Sequence, residues 1–351
     1  MSGSLLTYLA EFSKELASAP VPRPTRLIFN KGENRQEIIP EQSYFGLTLN
    51  QLNLAKGREW YSEYEPLVYI AVDFLYGTTR ITVPKLIGPS ALGANLPAKS
   101  NLPHGFLVED IRVTGPHVYR GEQVGITLVL FKVRSTNYSQ RLLQMAESLS
   151  DAIGIAGVGA LTKMGGSVMK GIETLFGAGD TQPVLGRRVE LKASPLDGFR
   201  EQANALLDSS EDVRREISLV GNRLCAPGTE QYSSSDFALY SIWQRQARET
   251  EVELPFYPDV MKMYAAAATG DDQGWQRAKA TLVAIYQEML TSPDLTTPDA
   301  ERLFQKYKAE LVKQRAAAKS INIMGESGAR QTKEERERKL LNTRTDEIIA
   351  L

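Results

Sequence analysis

The chain has two histidines, His104 and His117, and each stands beside a proline. With Asp110 and Ser90 nearby in sequence, either histidine could serve as the base of a hydrolase. A nucleophilic serine also needs a sharp turn that presents it to the base, and no G-x-S-x-G motif occurs. Because this motif is absent, a hydrolase that uses His104 or His117 ranks only third among the functional hypotheses.

Residue types that bind metals or phosphates form no recognisable motif. Cys225 is the single cysteine and the sequence has no H-x-x-x-H spacing, so we expect no zinc site and no metal. Acidic pairs such as Asp271–Asp272 stand at predicted helix starts, where the helix dipole accounts for them. The stretch "GIAGVGALTKMGG" lacks the Lys-[Ser/Thr] pair and the preceding strand of a phosphate loop. We expect no cofactor.

Composition narrows the class of protein. The chain has 351 residues, 42% of them hydrophobic and 24% charged, with a formal net charge of −1, which are values of a folded globular protein. The balanced charge argues against nucleic acid as a partner, since nucleic-acid-binding domains are usually strongly basic. The N-terminus has no basic region of a signal peptide, and no apolar run reaches the length of a membrane-spanning helix. These features predict a cytoplasmic protein.

A glycine-rich segment at 151–180 is the least ordinary part of the sequence, with eight glycines among apolar residues. Each glycine inside a solvated helix costs about 1 kcal/mol relative to alanine, so a helix here needs compensating contacts. Three kinds of compensating contact are possible. The segment could form a helical hairpin packed on the protein's own sheet, it could self-associate or dock a partner, or it could insert into a membrane surface with snorkelling lysines. The candidate contact residues are Ile153, Ile155, Val158, Leu161, Lys163, Met164, Val168, Met169, Lys170, Ile172, Leu175 and Phe176.

The first half of the chain predicts strands. Residues 1–21 predict an amphipathic helix and a proline-rich linker. Short runs rich in β-branched and aromatic residues follow over 22–195, separated by turn signals such as Tyr76-Gly77 and Arg120-Gly121. We predict an antiparallel β-sandwich there, with 138–182 as a helical glycine-rich insertion between its last two strands.

The second half predicts helices. Over 196–320 we expect a small α-helical domain, with helices at 197–208, 210–224, 234–250, 258–268, 272–291 and 298–319. Residues 321–351 form a charged tail. Its apolar end, Ile348, Ile349 and Leu351, is a candidate latch onto a partner subunit. The fold class is α+β.

Our main functional hypothesis is a non-enzymatic interaction or assembly protein. The insertion 150–178 would form homo-oligomers or dock another protein, with the sandwich as scaffold. The alternative is a membrane-active, pore-forming-like effector whose amphipathic Gly/Met-rich segment is unmasked by a partner or by cleavage, with recruitment from the cytoplasm to a membrane.

Overall fold

The fold was determined as a computed structural model. The described residues are 25–29, 35–55, 58–59, 62–88, 108–134, 181–191, 199–208, 217–220, 223–226 and 232–327. The predicted N-terminal helix, His104, the glycine-rich segment and the terminal latch lie outside these ranges.

Twelve strands precede three helices along the described chain. The strands are β1 (Thr25–Phe29), β2 (Tyr44–Asn53), β3 (Arg58–Glu59), β4 (Ser62–Tyr76), β5 (Thr79–Ile87), β6 (Val108–Val118), β7 (Val124–Arg134), β8 (Thr181–Leu191), β9 (Gln202–Asp208), β10 (Ser218–Val220), β11 (Arg223–Cys225) and β12 (Phe237–Arg245). The helices are α1 (Tyr257–Ala267), α2 (Asp272–Thr291) and α3 (Thr297–Ser327).

The strands form two larger antiparallel sheets and one small hairpin. Sheet 1 has the order β1-β9-β12-β2-β6, and sheet 2 has the order β3-β4-β7-β8 with β5 paired to β4. Strands β10 and β11 pair only with each other. The α+β class, the antiparallel sheets and the helical C-terminal part of the prediction are confirmed.

One hydrophobic core takes side chains from both sheets. Phe45 of sheet 1 meets Phe74 of sheet 2 edge to face, with ring centroids 5.4 Å apart. Around this contact, alternate residues of β2, β4, β7 and β12 are buried together, as the period-two geometry of strands requires. We call the faces that meet this core the inner faces of the two sheets, and the opposite ones the outer faces.

The turn signals act as predicted. Gly77 joins β4 to β5 with a φ of 59°, and Gly121 lies between β6 and β7 with a φ of 81°. Residues with a side chain rarely adopt these left-handed backbone conformations, so glycine at these positions lets the chain turn back into the neighbouring strand.

The helices predicted at 197–208, 210–224 and 234–250 are wrong where the structure describes them. These ranges contain β9, β10, β11 and β12 instead. Strand β12 is buried at each of its first six positions, so its apolar run shows no strand alternation. A short run that is apolar on both faces cannot be told from a buried helix by periodicity.

The helical part begins at Tyr257, and the compact units divide between Arg248 and Glu249 rather than at 195/196. Predicted helices 258–268, 272–291 and 298–319 are present as α1, α2 and α3, but α3 continues to Ser327, so residues 321–327 are helical and not part of a separate tail. Asp271 caps α2 by accepting a hydrogen bond from the Gly274 backbone N–H at 2.5 Å. The helices share their own apolar core, and none of the three carries an apolar stretch long enough to cross a bilayer.

Candidate functional site: an arginine-flanked tryptophan

His117 lies at the rim of the inner core and not in a catalytic arrangement. Its Nε2 atom is 2.6 Å from the Thr114 hydroxyl, and its ring packs against Phe74 with centroids 4.3 Å apart. Burial of the ring, followed by the nearby charges of Arg248 and Arg112, lowers the pKa of His117 from 6.5 to about 3. The imidazole is therefore neutral at pH 7 and serves as a packing group with one hydrogen bond.

Acidification is expected to destabilise the two-sheet unit through His117. Because its folded pKa lies below its unfolded value, the stability it contributes is complete above pH 6.5 and declines as the pH falls toward 3. The limiting slope for one proton is about 1.4 kcal/mol per pH unit, and the partial exposure of the side chain makes the expected slope smaller. Between pH 7 and pH 5 the native chain should lose about 1 kcal/mol more than His117→Gln, measured by denaturant unfolding. An imidazole that titrates near pH 6.5 by NMR contradicts this assignment.

The structure does not bring Asp110 to His117. They lie near opposite ends of β6, about 20 Å apart at the usual rise of a strand. The Asp110 carboxylate instead accepts a hydrogen bond from the Asn50 amide at 2.8 Å. Ser90 and His104 lie outside the described residues, so the geometry supplies no support for the hydrolase hypothesis.

Cys225 and the acidic residues form no reactive centre in the described ranges. Cys225 is a free, buried thiol in β11, as expected for a small apolar residue, although it ends a strand and not a helix. No group of three or more His, Cys, Asp or Glu among the described residues could hold a metal ion.

The outer face of sheet 1 carries a different kind of site, centred on Trp243. On this face, one end of β12 is covered, because Phe237 and Leu239 pack in a cluster with Leu224 and Tyr232. Trp243 lies further along the same side of the strand, where its ring remains half-buried. It belongs to none of the described core clusters.

The Trp243 ring lies directly against the backbone of Gly46, which has no side chain to displace it. In the neighbouring strand, Gly46 is the direct register partner of Trp243. A Cβ atom at Gly46 would lie 2.0 Å from Cζ2 of the ring, so only glycine admits the indole at this height. The indole Nε1 donates a hydrogen bond to the Thr48 hydroxyl at 3.1 Å, which fixes the ring in its plane.

Two guanidinium groups flank the indole. The Cζ atoms of Arg245 and Arg112 lie 4.9 and 5.7 Å from the ring centroid, within cation–π range. Arg112 also donates a hydrogen bond to the Gly115 carbonyl at 2.5 Å, and both arginine side chains are exposed. We call Trp243, Arg112 and Arg245 the Trp–Arg surface.

The irregular part of β6 that carries Arg112 approaches β2 closely. Gly115 has a φ of 99°, and a Cβ atom there would lie 2.7 Å from Cα of Gly46. Glycines on two strands therefore allow the backbone of β6 and the indole to meet at one place. The peptide bond between Gly115 and Pro116 is cis.

The Trp–Arg surface was missed by the sequence prediction because 234–250 was expected to be helical. In a strand, Trp243 and Arg245 share a face, which the segment "SIWQR" could have indicated. Arg112 and Gly46 join them only through strand pairing. The twelve glycine-rich candidates, from Ile153 to Phe176, and the terminal residues Ile348, Ile349 and Leu351 lie outside the described residues, and their roles stay predictions.

Comparison with protein-family models, with curated proteins and with solved structures found no match to this chain. Its function must therefore be argued from its own residues.

Proposed function

We propose that this chain is a non-enzymatic interaction protein that forms homo-oligomers or docks another protein. The observation that carries the proposal is the Trp–Arg surface, a half-buried indole with two exposed guanidinium groups within cation–π distance of its ring. Tryptophan and arginine are the residues most enriched among those that dominate protein–protein binding energy.

Rigidity makes the Trp–Arg surface suited to binding. Gly46 and the hydrogen bond to Thr48 hold the indole in place before any partner arrives. A partner that stacks on it loses little side-chain entropy of this protein, which favours affinity. The exposed guanidinium groups favour carboxylates on the partner, since arginine binds them with paired hydrogen bonds.

The scaffold in this proposal is a β-sandwich made by sheets 1 and 2. Its support is the single core shared by the inner faces and the contact of Phe45 with Phe74. We propose that the glycine-rich insertion 150–178 is the second contact surface, because a segment rich in glycine and methionine suits a surface that repacks on binding. The single cysteine, free and buried, supports placing the protein in a reducing compartment such as the cytoplasm.

Sedimentation equilibrium over a wide concentration range tests self-association. We expect Trp243→Ala to weaken it at least tenfold, and deletion of 150–178 to weaken it as well. The matched control is Trp275→Ala in the helical unit, where another indole is flanked by Lys279 and Arg315 but packs against the helical core. This control is expected to keep the native association constant.

The same samples discriminate between the hypotheses. A chain that stays monomeric at every concentration and is unchanged by the deletion argues against assembly. Co-flotation with anionic liposomes, or vesicle leakage after limited proteolysis, that disappears on deletion of 150–178 would favour the membrane-active alternative.

A further inference from the structure

The outer face of sheet 2 is buried over most of its described area. On β4 the outward residues Leu67, Tyr69 and Ala71 have no exposed surface (0%). The apolar residues of the neighbouring strands that share this face are 1–3% exposed: Leu86 of β5, and Val129, Phe131 and Val133 of β7. We call these seven residues the apolar outer face.

This burial does not come from the core between the sheets. The inner core contains the alternate residues Val68, Ile70 and Val72 of β4, and Leu128 and Leu130 of β7. Successive side chains of a strand point to opposite faces, so the apolar outer face points away from that core. A further layer of protein must therefore cover it, because apolar side chains reach such low exposure only when other atoms exclude water.

The outer face of sheet 2 changes from apolar to polar along the strands. Next to Ala71 lies Asp73, whose carboxylate accepts hydrogen bonds from Arg188 at 2.5 Å and from the Thr82 hydroxyl. Arg188 also donates to the Thr127 hydroxyl at 3.1 Å. The far half of the outer face is thus polar, and the apolar half is the one near Leu67 and Phe131.

The apolar half lies where one long connection leaves and re-enters the sheet. Strand β7 ends at Arg134 and β8 begins at Thr181, which is the register partner of Val133. Arg134 and Thr181, the described residues that flank the segment 135–180, therefore lie beside the apolar outer face. The polar half lies at the other end of the same strands.

We infer that the segment 135–180 docks on the apolar outer face of sheet 2. From Val129 to Val133 the face extends about 13 Å, and β5, β4 and β7 span about 10 Å across it. This area matches two to three turns of one helix, which is the structure that the sequence predicts around 139–163. The apolar residues of the segment supply the contact, and its small residues allow close approach to the sheet.

The other connection at this sheet suits the face less well. Segment 89–107 follows β5 at the same end of the strands, since Ile87 is the register partner of Val68, but it leads away to β6 of sheet 1. It also contains Pro89, Pro97 and Pro103, which interrupt a continuous helix. The docked arrangement concerns contacts within one chain and does not follow from the proposed function. It does mean that the side of 150–178 that contacts the sheet is not available to a partner.

Photo-crosslinking in the full-length chain tests the inference. The photoreactive amino acid p-benzoylphenylalanine replaces Phe131 or, in a second variant, Tyr69, so that an aromatic ring is kept. The control position is Val220, which is 56% exposed on β10. Each variant is mixed with isotopically labelled native chain before irradiation, and the crosslinked peptides are identified by mass spectrometry.

We expect at least fivefold more product with peptides of 135–180 from Phe131 and Tyr69 than from Val220, all within one molecule. Products with 89–107, with the helical unit or with the labelled second copy instead would overturn the inference. A second measurement uses Val129→Cys in a Cys225→Ser background. Its thiol should react at least tenfold faster after deletion of 150–178, and an unchanged rate in a folded deletion variant would contradict the inference. A monomeric chain that still crosslinks to 135–180 would refute the assembly proposal alone.

Discussion

Replacing Arg188 with methionine is expected to destabilise the two-sheet unit by about 3 kcal/mol, because it leaves the Asp73 carboxylate buried without its cation. The Asp73 side chain is 9% exposed and its Oδ2 atom lies 2.5 Å from Arg188 Nη1. Removal of one partner of a buried ion pair typically costs about 3–5 kcal/mol. We expect the lower end because Arg188 itself is 24% exposed.

The position of the Arg188 guanidinium group is set by three neighbouring strands of sheet 2. Arg188 reaches from β8 across β7 to Asp73 on β4. It passes over Gly125, where a Cβ atom would lie 2.7 Å from Arg188 Nη2. The absence of a side chain at Gly125 therefore leaves room for the guanidinium group to reach Asp73.

Denaturant unfolding of the native chain and three variants separates charge burial from loss of packing. Lys262→Met is the control, because the ion pair of Lys262 with Asp259 is exposed (75% and 48%). Its loss should cost less than about 1 kcal/mol. The double variant Asp73→Leu/Arg188→Met should recover much of the loss, since no charge remains buried. An Arg188→Met variant that is as stable as Lys262→Met would show that the Asp73 carboxylate is adequately solvated without its partner.

Sequence reasoning succeeded where a strand or helix shows its environment through its own pattern. Strands β4 and β5 were predicted because their apolar and β-branched residues flank the turn at Gly77. Helix α2 was predicted over its full length from its apolar spacing and from Asp271 at its start. Each of these signals comes from residues that are neighbours along the chain, so it can be recognised in a single sequence.

It failed where the environment is set by distant residues. Strand β12 lies between β9 and β2, and its apolar residues on both faces imitate a buried helix. The register shifts of β2 against β6 near Leu47 decide which residues oppose each other, and alternation alone does not predict them. The Trp–Arg surface depends on both features, so the sequence could indicate at most that Trp243 and Arg245 share a face, and not that Gly46 and Arg112 join them.

The strongest test of the Trp–Arg surface is Gly46→Ala, which we expect to destabilise the two-sheet unit by about 2–3 kcal/mol. The new Cβ would lie 2.0 Å from Cζ2 of Trp243 and 2.5 Å from Cε2, so the indole must leave its position. Its hydrogen bond to Thr48 and its stacking with Arg245 are lost with it. Self-association through this surface should weaken by the same tenfold factor as in Trp243→Ala.

A double-mutant cycle shows whether the ring is the cause. In a strand interior, alanine is otherwise favoured over glycine by about 0.5–1 kcal/mol, because it loses less backbone entropy on folding. In a Trp243→Leu background, the cost of the Gly46→Ala change should therefore disappear, and the change should become neutral to stabilising by up to about 1 kcal/mol. An equal cost in both backgrounds would locate the constraint in the backbone contact between Gly46 and Gly115 instead. Because the two outcomes differ by about 2 kcal/mol or more, unfolding free energies alone distinguish a glycine kept for the indole from one kept for the close approach of Gly115.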